Sequence, residues 1–309
     1  MSKQSLMDFR RLRLFLTVVE EGGFTKAADA LGMSQPAVSQ AVRELERELG
    51  TLLFHRLGRS VALTPAGEAL VAPARQVMRD VETGRAAVEA VAGVATGRLD
   101  LAALPTLVGD PLAPVVGAFR AAHPGVRIVL ADPEDTTELV AFVLSGRSEL
   151  GITEHVDVSG LVVHSLGEQE FLVVLPPGWP APPPGALRAL RGAPLVAGPP
   201  GSSARRVLDE ALERAGIVPD IAVETAQREA LLPFIVSGAG AGLLPRPLAE
   251  MATRLGCTVS EPRPRIARRI SVVHREGPLT PAARRFVDVA RQHAGSGASP
   301  PGSRREVPG

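Results

Sequence analysis

Apolar residues in the first 50 positions recur at the three- and four-residue spacing of amphipathic helices. The pattern predicts a first helix that ends at Gly22–Gly23, because glycine readily terminates a helix. A second helix is predicted from Thr25, a candidate N-cap, to Leu31, with Gly32 as its C-cap. The apolar face of the first helix consists of Leu12, Phe15, Leu16 and Val19.

A third helix is predicted to follow Ser34, which is a favourable N-cap residue. Pro36 is tolerated in its first turn, and the helical pattern continues to about Leu49. The second and third helices are joined by a glycine-containing turn of about three residues. Two helices joined in this way are typical of a helix-turn-helix.

A two-stranded hairpin is predicted after the third helix. Apolar runs at 52–54 and 61–63 flank a polar turn around Gly58, the pattern of a β-ribbon or wing. Thr64 then serves as the N-cap of a new helix, with Pro65 at its first position. Residues 1–67 are therefore predicted to form a mainly α winged helix-turn-helix domain.

The helix that begins at Pro65 is predicted to run to about Ala92, roughly 40 Å at about 1.5 Å per residue. Its small and apolar residues recur in alternating steps of four and three, which is a heptad seam. This seam either packs on its own domain or joins two copies of the chain. We favour a dimerisation helix over 65–93, because the flanking segments have the patterns of separate domains, and Pro73 predicts a kink in it. The seam consists of Leu70, Ala74, Val77, Val81, Gly84, Val88 and Val91.

From Arg98 onward short apolar strands alternate with helices, which predicts an α/β domain with a mainly parallel sheet. The final segment, 295–309, is rich in glycine, serine and proline and is predicted to be a disordered tail. Strands are expected at 99–104, 127–130, 150–153, 171–175, 195–197, 222–225, 242–244 and 270–274. Helices are expected at 112–122, 137–144, 204–215, 229–236 and 282–294.

Composition restricts the possible functions. The 309 residues suit two or three domains, and the 34 basic and 33 acidic residues require any DNA-binding surface to be local. The single cysteine, Cys257, excludes a disulfide framework and is either a redox sensor or, more simply, an inert thiol. Residues 1–14 lack the apolar core of a secretory signal, and no apolar run approaches the ~20 residues of a membrane helix. We therefore expect a cytoplasmic protein that does not bind a membrane.

The third helix carries side chains suited to reading DNA. Glutamine can pair with adenine and arginine with guanine, while serine can bond a phosphate or a base. The free N–H groups at a helix start capped by Ser34 suit a phosphate. A solvated polar face is the alternative, but the absence of Asp and Glu from Ser34 to Arg43 favours DNA. The predicted buried stripe is Val38, Ala41, Val42, Leu45 and Leu49, and the predicted outer face is Gln35, Ser39, Gln40 and Arg43. Arg56 and Arg59 flank the wing tip, where they could follow the DNA backbone or enter the minor groove.

These motifs, in this order, resemble the N-terminal domain of the LysR family of bacterial transcriptional regulators. The match covers about 9–92 without a gap and includes LGMSQPAV at 31–38, LERELG at 45–50 and LTPAG at 63–67. The resemblance implies a winged helix-turn-helix and homodimers through the linker helix, commonly assembled into homotetramers. It also implies DNA contacts by Gln35, Pro36, Ser39, Arg43 and Arg56.

Residues 97–294 resemble, more loosely, the effector-binding domain of the same family. LSGRSELGI at 144–152 and GAGAGLLP at 238–245 are landmarks of the match. The resemblance implies a two-lobed α/β fold similar to that of type 2 periplasmic binding proteins. Lobe 1 would comprise 97–165 with 268–294, and lobe 2 would comprise 166–267. A small-molecule effector would bind in the crevice between them.

Ligands of open α/β sheets bind where strands end and helices begin. Hydroxyl and amide groups at helix starts suit a carboxylate or another anion, although each could serve only as a helix cap. Asp132, Glu134 and Asp135 would favour a cationic or neutral effector if they line the crevice, and would be uninformative if they face solvent. The residues predicted to bind the effector are Pro105, Thr106, Asp135, Thr136, Ser202, Ser203 and Gln227.

Two other classes of protein fit the sequence less well than a regulator. Gly238–Gly242 resembles a dinucleotide-binding loop but lies between a predicted helix and a strand, the reverse of the required order. The scattered histidines suggest neither a zinc site nor a catalytic triad, so we expect no enzyme, no metal and no cofactor. A solute-binding protein would share the two lobes. Such a protein usually carries an export signal and has no use for a helix-turn-helix, so the sequence favours a regulator.

The sequence therefore predicts a transcriptional regulator whose DNA binding or bending is modulated by a small molecule. Its expected partners are double-stranded DNA with a dyad-symmetric operator, the effector, further copies of itself and, if it activates, RNA polymerase.

Overall fold

The computed structural model describes residues 8–57, 60–91, 97–154, 156–180 and 187–296. Its first three helices enclose an apolar core that includes Phe15, Val38 and Leu45, all of them completely buried. These residues recur at helical spacing, so each helix turns one apolar face towards the other two. The helices are α1 (Phe9–Glu21), α2 (Phe24–Leu31) and α3 (Gln35–Leu49).

The ends of these helices follow the predicted capping pattern with one exception. Gly22 and Gly32 have φ values of +67° and +62°, the left-handed conformation in which glycine ends helices. The prediction that Thr25 caps α2 is wrong. The Ala27 N–H donates to the Gly23 carbonyl at 3.0 Å, so the first helical hydrogen bond starts from Gly23 and Thr25 lies inside the helix.

The predicted wing is present as the antiparallel pair β1 (Phe54–Leu57) and β2 (Ser60–Leu63). Leu52 lies outside the hairpin and is 63% exposed, so the strand begins two residues later than its apolar run. A buried carboxylate joins the wing to α3: Glu46 accepts the N–H groups of Leu53 at 2.9 Å and Phe54 at 3.3 Å.

The linker helix α4 (Pro65–Val91) contains 27 residues and continues through Pro73. Thr64 caps it, because its Oγ1 accepts the Gly67 N–H at 3.0 Å. The heptad seam divides into two parts. Leu70 and Ala74 pack on the core of α1–α3, whereas three of the later valines are exposed. The exposed part, which we call the valine stripe, comprises Val77 (39% exposed), Val81 (38%) and Val88 (73%).

Gly67 lies in α4 at a position where a side chain would clash with the backbone of Leu53. A Cβ atom built on Gly67 would lie 2.2 Å from the carbonyl oxygen of Leu53, which is backbone and cannot move aside. Gly67→Ala is therefore expected to lower the free energy of unfolding of the N-terminal domain by about 1–3 kcal/mol, the usual range for overpacking. Urea unfolding followed by circular dichroism measures this. Gly117→Ala, at an exposed helical site outside this domain with nothing within 4 Å, is the control and should not destabilise.

The remaining described residues form a two-lobed α/β domain. Its strands are β3 (Gly97–Ala103), β4 (Val126–Ala131), β5 (Leu150–Glu154), β6 (Leu161–Leu175), β7 (Pro194–Ala197), β8 (Asp220–Glu224), β9 (Gly242–Pro245), β10 (Thr258–Ser260) and β11 (Ile266–Arg275). The main sheet has the strand order β10-β6-β11-β5-β3-β4, with β9 also paired to β6, and a small sheet joins β7 to β8. The helices are α5 (Pro105–Leu107), α6 (Ala113–Ala122), α7 (Thr136–Leu144), α8 (Ser203–Arg214), α9 (Leu231–Val236), α10 (Arg246–Arg254) and α11 (Pro281–Ser296), with a π turn at Val108–Leu112 and 3-10 turns at Leu187–Leu190 and Arg228–Ala230.

The expectation of a mainly parallel sheet is wrong. Only β3 with β4, β3 with β5 and β7 with β8 pair as parallel neighbours among the described strands. The two long strands β6 and β11 pair antiparallel with each other, and β5, β9 and β10 join them antiparallel. These long strands are the two chain crossings between the lobes, and opposite crossing directions make an antiparallel pair.

Separate apolar cores lie on either side of these crossings. One surrounds Phe119 and Phe286, whose rings are 5.4 Å apart, and includes residues of β3, β5 and β11. Others cover the two faces of β6 near Phe171 and Val174. Of the predicted tail, 295 and 296 belong to α11, and 297–309 lie outside the described residues. In the described ranges, none of the helices combines the length and apolarity needed to cross a lipid bilayer.

Candidate functional sites: a nucleic-acid interface and an interlobe crevice

The first half of α3 forms an exposed surface without carboxylates. Ser34 caps the helix and accepts the Ala37 N–H at 3.4 Å, as predicted. The exposed side chains on this surface are Gln35, Pro36, Gln40 and Arg43. The amide of Gln40 also donates to Glu44 at 3.1 Å, which fixes its orientation along the helix.

The placement of Ser39 on this outer face is wrong, because the residue is only 4% exposed. Ser39 lies seven residues before the buried Glu46, which places both on the same side of α3. Glu46 contacts Leu53 and Phe54 at the start of the wing. The buried surface of α3 is therefore wider than its apolar stripe.

Acidic residues on the second half of α3 are neutralised by α1. Arg11 forms ion pairs with Glu44 at 3.1 Å and with Glu48 at 3.0 Å. The cation–carboxylate pairing reduces the repulsion that these carboxylates would exert on a nearby phosphate. The hairpin carries Arg56 opposite Val61, but the side chain of Arg56 and the whole of Arg59 lie outside the described residues.

A polar cluster lies between the lobes, centred on Arg268 of β11. Arg268 is 7% exposed, and its guanidinium contacts three neighbouring side chains. It donates to Gln169 Oε1 at 2.6 and 2.9 Å and to Thr106 Oγ1 at 2.7 Å. It also donates to the hydroxyl of Ser203 at the start of α8. One guanidinium thus joins both crossing strands to one helix start in each lobe.

Glu154, at the end of β5, extends the cluster. It accepts hydrogen bonds from the hydroxyls of Thr136 at 3.1 Å and Ser203 at 3.3 Å. It also forms an ion pair with Arg206 of α8. The cluster therefore connects the start of α7 in one lobe to the start of α8 in the other.

The electrostatics of the cluster are dominated by buried arginine. Burial lowers the pKa of Arg268 to about 10, with further lowering by Arg206 and Arg228 and a smaller opposing effect of Asp110. Burial likewise lowers the pKa of Arg228, against the attraction of Asp132 and Glu229. Arg268 keeps its charge near neutral pH, because a pKa of about 10 leaves an arginine protonated there.

Of the residues predicted for this site, the structure brings Thr106, Thr136 and Ser203 together. Pro105 begins α5 beside Thr106. Asp135 and Ser202 act as helix caps: Asp135 accepts the Glu138 N–H at 2.8 Å, and Ser202 accepts the Arg205 N–H at 3.4 Å. Gln227 is exposed, and its backbone N–H donates to Thr225 at 3.1 Å.

Sequence reasoning missed Arg268, Gln169, Glu154 and Arg206. Arg268 left a signal, because in a strand it shares one face with Ile266 and Ile270, two residues away on either side, and the structure buries all three. Gln169 left none, since the first ten residues of β6 were not predicted as strand.

The glycine segment 238–242 lies between α9 and β9, the predicted helix-to-strand order, and is therefore no dinucleotide loop. Two of its glycines serve packing: a Cβ on Gly240 would lie 2.5 Å from the Pro194 carbonyl oxygen, and a Cβ on Gly242 would lie 2.6 Å from the Ile235 side chain. Cys257 is 6% exposed, and burial raises the pKa of its thiol, which disfavours the reactive thiolate.

Comparison with known proteins bears on both halves of the chain. Residues 9–68 match the family model described as bacterial regulatory helix-turn-helix protein, lysR family, and residues 92–295 match the LysR substrate binding domain. The HTH-type transcriptional regulator TfdS of Cupriavidus pinatubonensis is 30% identical over 304 residues, which cover 94% of this chain and 99% of TfdS.

Solved structures agree with these matches. HinK, a LysR family transcriptional regulator from Pseudomonas aeruginosa, is 28% identical with a TM-score of 0.57, and the match covers 94% of this chain and 99% of HinK. A full-length OxyR from the same organism gives a TM-score of 0.73 at 24% identity over 93% of this chain and 94% of OxyR, a likeness of fold.

Proposed function

Because the chain belongs to the LysR family of transcriptional regulators, we propose that it binds a dyad-symmetric operator as a homodimer or homotetramer. It is a DNA-binding regulator with an effector-binding domain and not an enzyme. The regulator acts in the cytoplasm, where operator DNA is accessible, and contacts RNA polymerase if it activates transcription.

The exposed, carboxylate-free first half of α3 is the observation that carries the DNA-binding proposal. Gln35, Gln40 and Arg43 project from it, with Pro36 beside them and the capped helix start at Ser34 available to a phosphate. Arg56 and Arg59 of the wing would follow the adjoining backbone or minor groove.

Dimerisation is assigned to the valine stripe of α4. Val77, Val81 and Val88 are exposed in the single chain although they occupy heptad positions. Pairing two copies of α4 would bury these valines and place two α3 helices on one DNA molecule. Two symmetric reading heads require an operator with matching symmetry.

The effector is assigned to the crevice between lobe 1 (97–165 with 268–294) and lobe 2 (166–267). Thr106 and Thr136 reach it from one lobe and Ser203 from the other, so a ligand bound there would contact both. A ligand that prefers one relative angle of the lobes shifts the protein towards that conformation.

Helix α7 connects this crevice to the linker helix. Its first residue, Thr136, bonds Glu154 in the crevice. Just past its other end, the carbonyls of Ser145 and Gly146 accept hydrogen bonds from Arg75 at 3.2 Å and Arg79 at 2.8 Å of α4. A shift of α7 would therefore move the helix that positions the DNA-binding domains.

Selection of bound sequences from a random or genomic DNA pool by the purified protein tests the proposed function. We expect enrichment of one dyad-symmetric site that is bound well above competitor DNA across a range of salt concentrations. Binding that stays weak, steeply salt-dependent and indifferent to sequence would contradict the assignment of α3 as a sequence reader.

A further inference from the structure

Arg268 is a buried cation without a carboxylate partner. Among the described residues, no Asp or Glu oxygen lies within 4.0 Å of its guanidinium nitrogens. Its acceptors are all neutral: the amide oxygen of Gln169 and the hydroxyl oxygens of Thr106 and Ser203. Its hydrogen bonds are therefore satisfied while its charge is not.

Burying such a charge is unfavourable, because neutral oxygens replace only part of the hydration that the cation loses. The lowered pKa of Arg268, about 10, reflects this cost, with burial as its largest cause. Arg206 and Arg228 increase the cost by repulsion, and Asp110 offsets it only in part. The position of Arg268 thus has an excess of positive potential.

The surrounding carboxylates are engaged with other groups. Glu154 pairs with Arg206 and accepts two hydroxyl groups. Asp132 attracts Arg228, and Asp135 caps α7. Asp132 and Asp135, which would favour a cationic effector if they lined the crevice, therefore do not neutralise the charge of Arg268.

We propose that the effector is a small organic anion whose carboxylate binds Arg268, an inference that rests on the proposed function of the crevice. The hydroxyls of Thr106 and Ser203 accept from Nη2 and Nη1, which are the two nitrogens at the end of the guanidinium. The two oxygens of a carboxylate match this pair of donors in the bidentate geometry that arginine favours. The bound anion would replace the hydroxyl oxygens as acceptors. The Thr106 hydroxyl could then donate to it, while the Ser203 hydroxyl keeps its hydrogen bond to Glu154.

Thermal unfolding of the full chain at constant ionic strength tests this inference. The probes are sodium acetate, sodium benzoate and disodium succinate, each compared with its matched amide and with sodium chloride. At about 100 times its Kd a bound carboxylate should raise Tm by roughly 5 °C, and the amide should not. Arg268→Gln should abolish the rise or weaken carboxylate affinity by about 10- to 100-fold. Arg268→Lys, which keeps the charge without the forked geometry, should retain part of it.

Arg269→Gln is the matched control, because Arg269 is the next residue of β11 and is exposed. It should respond to carboxylates as the original chain does. Three outcomes would overturn the inference: no carboxylate raises Tm, carboxylate and amide raise it equally, or the rise survives in Arg268→Gln. Circular dichroism verifies that the variants fold. If Arg268→Gln does not fold, the response of Arg268→Lys to carboxylates tests the inference.

Operator binding measured with and without the stabilising carboxylate separates this inference from the proposed function. An Arg268-dependent rise in Tm with no change in DNA binding would support the anion site and contradict its role as an effector site. A change in DNA binding caused only by an uncharged probe would support the regulator and overturn the anion site.

Discussion

Arg43→Ala is expected to weaken binding to the selected operator by about 10- to 100-fold. Arg43 is exposed on the carboxylate-free half of α3, where a guanidinium can donate two hydrogen bonds to a guanine. Loss of one bidentate base contact costs about 1–3 kcal/mol, which corresponds to that range of affinity. Fluorescence anisotropy with labelled operator measures the loss, and circular dichroism verifies the fold.

The control is Arg47→Ala, because Arg47 is an exposed arginine in the last turn of the same helix. It should reduce affinity less, and similarly for operator and non-specific DNA. If Arg43→Ala bound the operator as tightly as the original chain, Arg43 would be no part of the reading surface. If both variants lost affinity equally for all DNA, Arg43 would contact only the backbone.

The N-terminal half of the fold could be predicted from local sequence because its signals are local. Helix caps such as Ser34 and Gly32 act within a few residues, so periodicity and capping located α2, α3 and the end of α1 almost to the residue. Ser39 was misplaced because its burial depends on packing between α3 and its neighbouring elements. Such packing between elements leaves no trace in the spacing of apolar residues.

The effector-binding half was harder to predict because its architecture depends on distant pairings. Strands β6 and β11 are about 100 positions apart in the chain, and Arg268 meets Gln169 only because they pair. The start of β6 carries His164, Ser165 and Glu168, and these polar residues do not give the apolar pattern that predicts a buried strand. Helix starts were still identified, since capping is local, and for this reason Thr106, Thr136 and Ser203 could be named without Arg268.

The linker seam shows, within one helix, the same difference between what local spacing predicts and what tertiary packing decides. Its heptad spacing left open whether it packs on its own domain or on a second copy, and the structure shows that its first part packs on its own domain. Leu70 and Ala74 fill the core of α1–α3. No described part of the same chain covers the valine stripe, so its side chains stay exposed. Only the tertiary structure could make this division, because both halves follow one period.

Val81→Asp combined with Val88→Asp is expected to convert the protein to monomers and to weaken operator binding by at least about 100-fold. The two valines are 38% and 73% exposed, so aspartate should cost the single chain little stability. In a dimer the same change would bury carboxylates opposite one another. Without the dimer, the second half-site no longer adds its contribution to binding, which is commonly worth 10²–10⁴ in affinity.

Sedimentation equilibrium gives the mass of the assembly, and anisotropy compares a full operator with a single half-site. The double variant should bind both DNAs with the same weak affinity, whereas the original chain should strongly prefer the full site. Glu82→Lys, which changes charge at an exposed position of α4 outside the seam, should leave mass and preference unchanged. An assembly that survives the double substitution would assign dimerisation to another surface, because two opposed carboxylates in a heptad core are not compatible with tight packing.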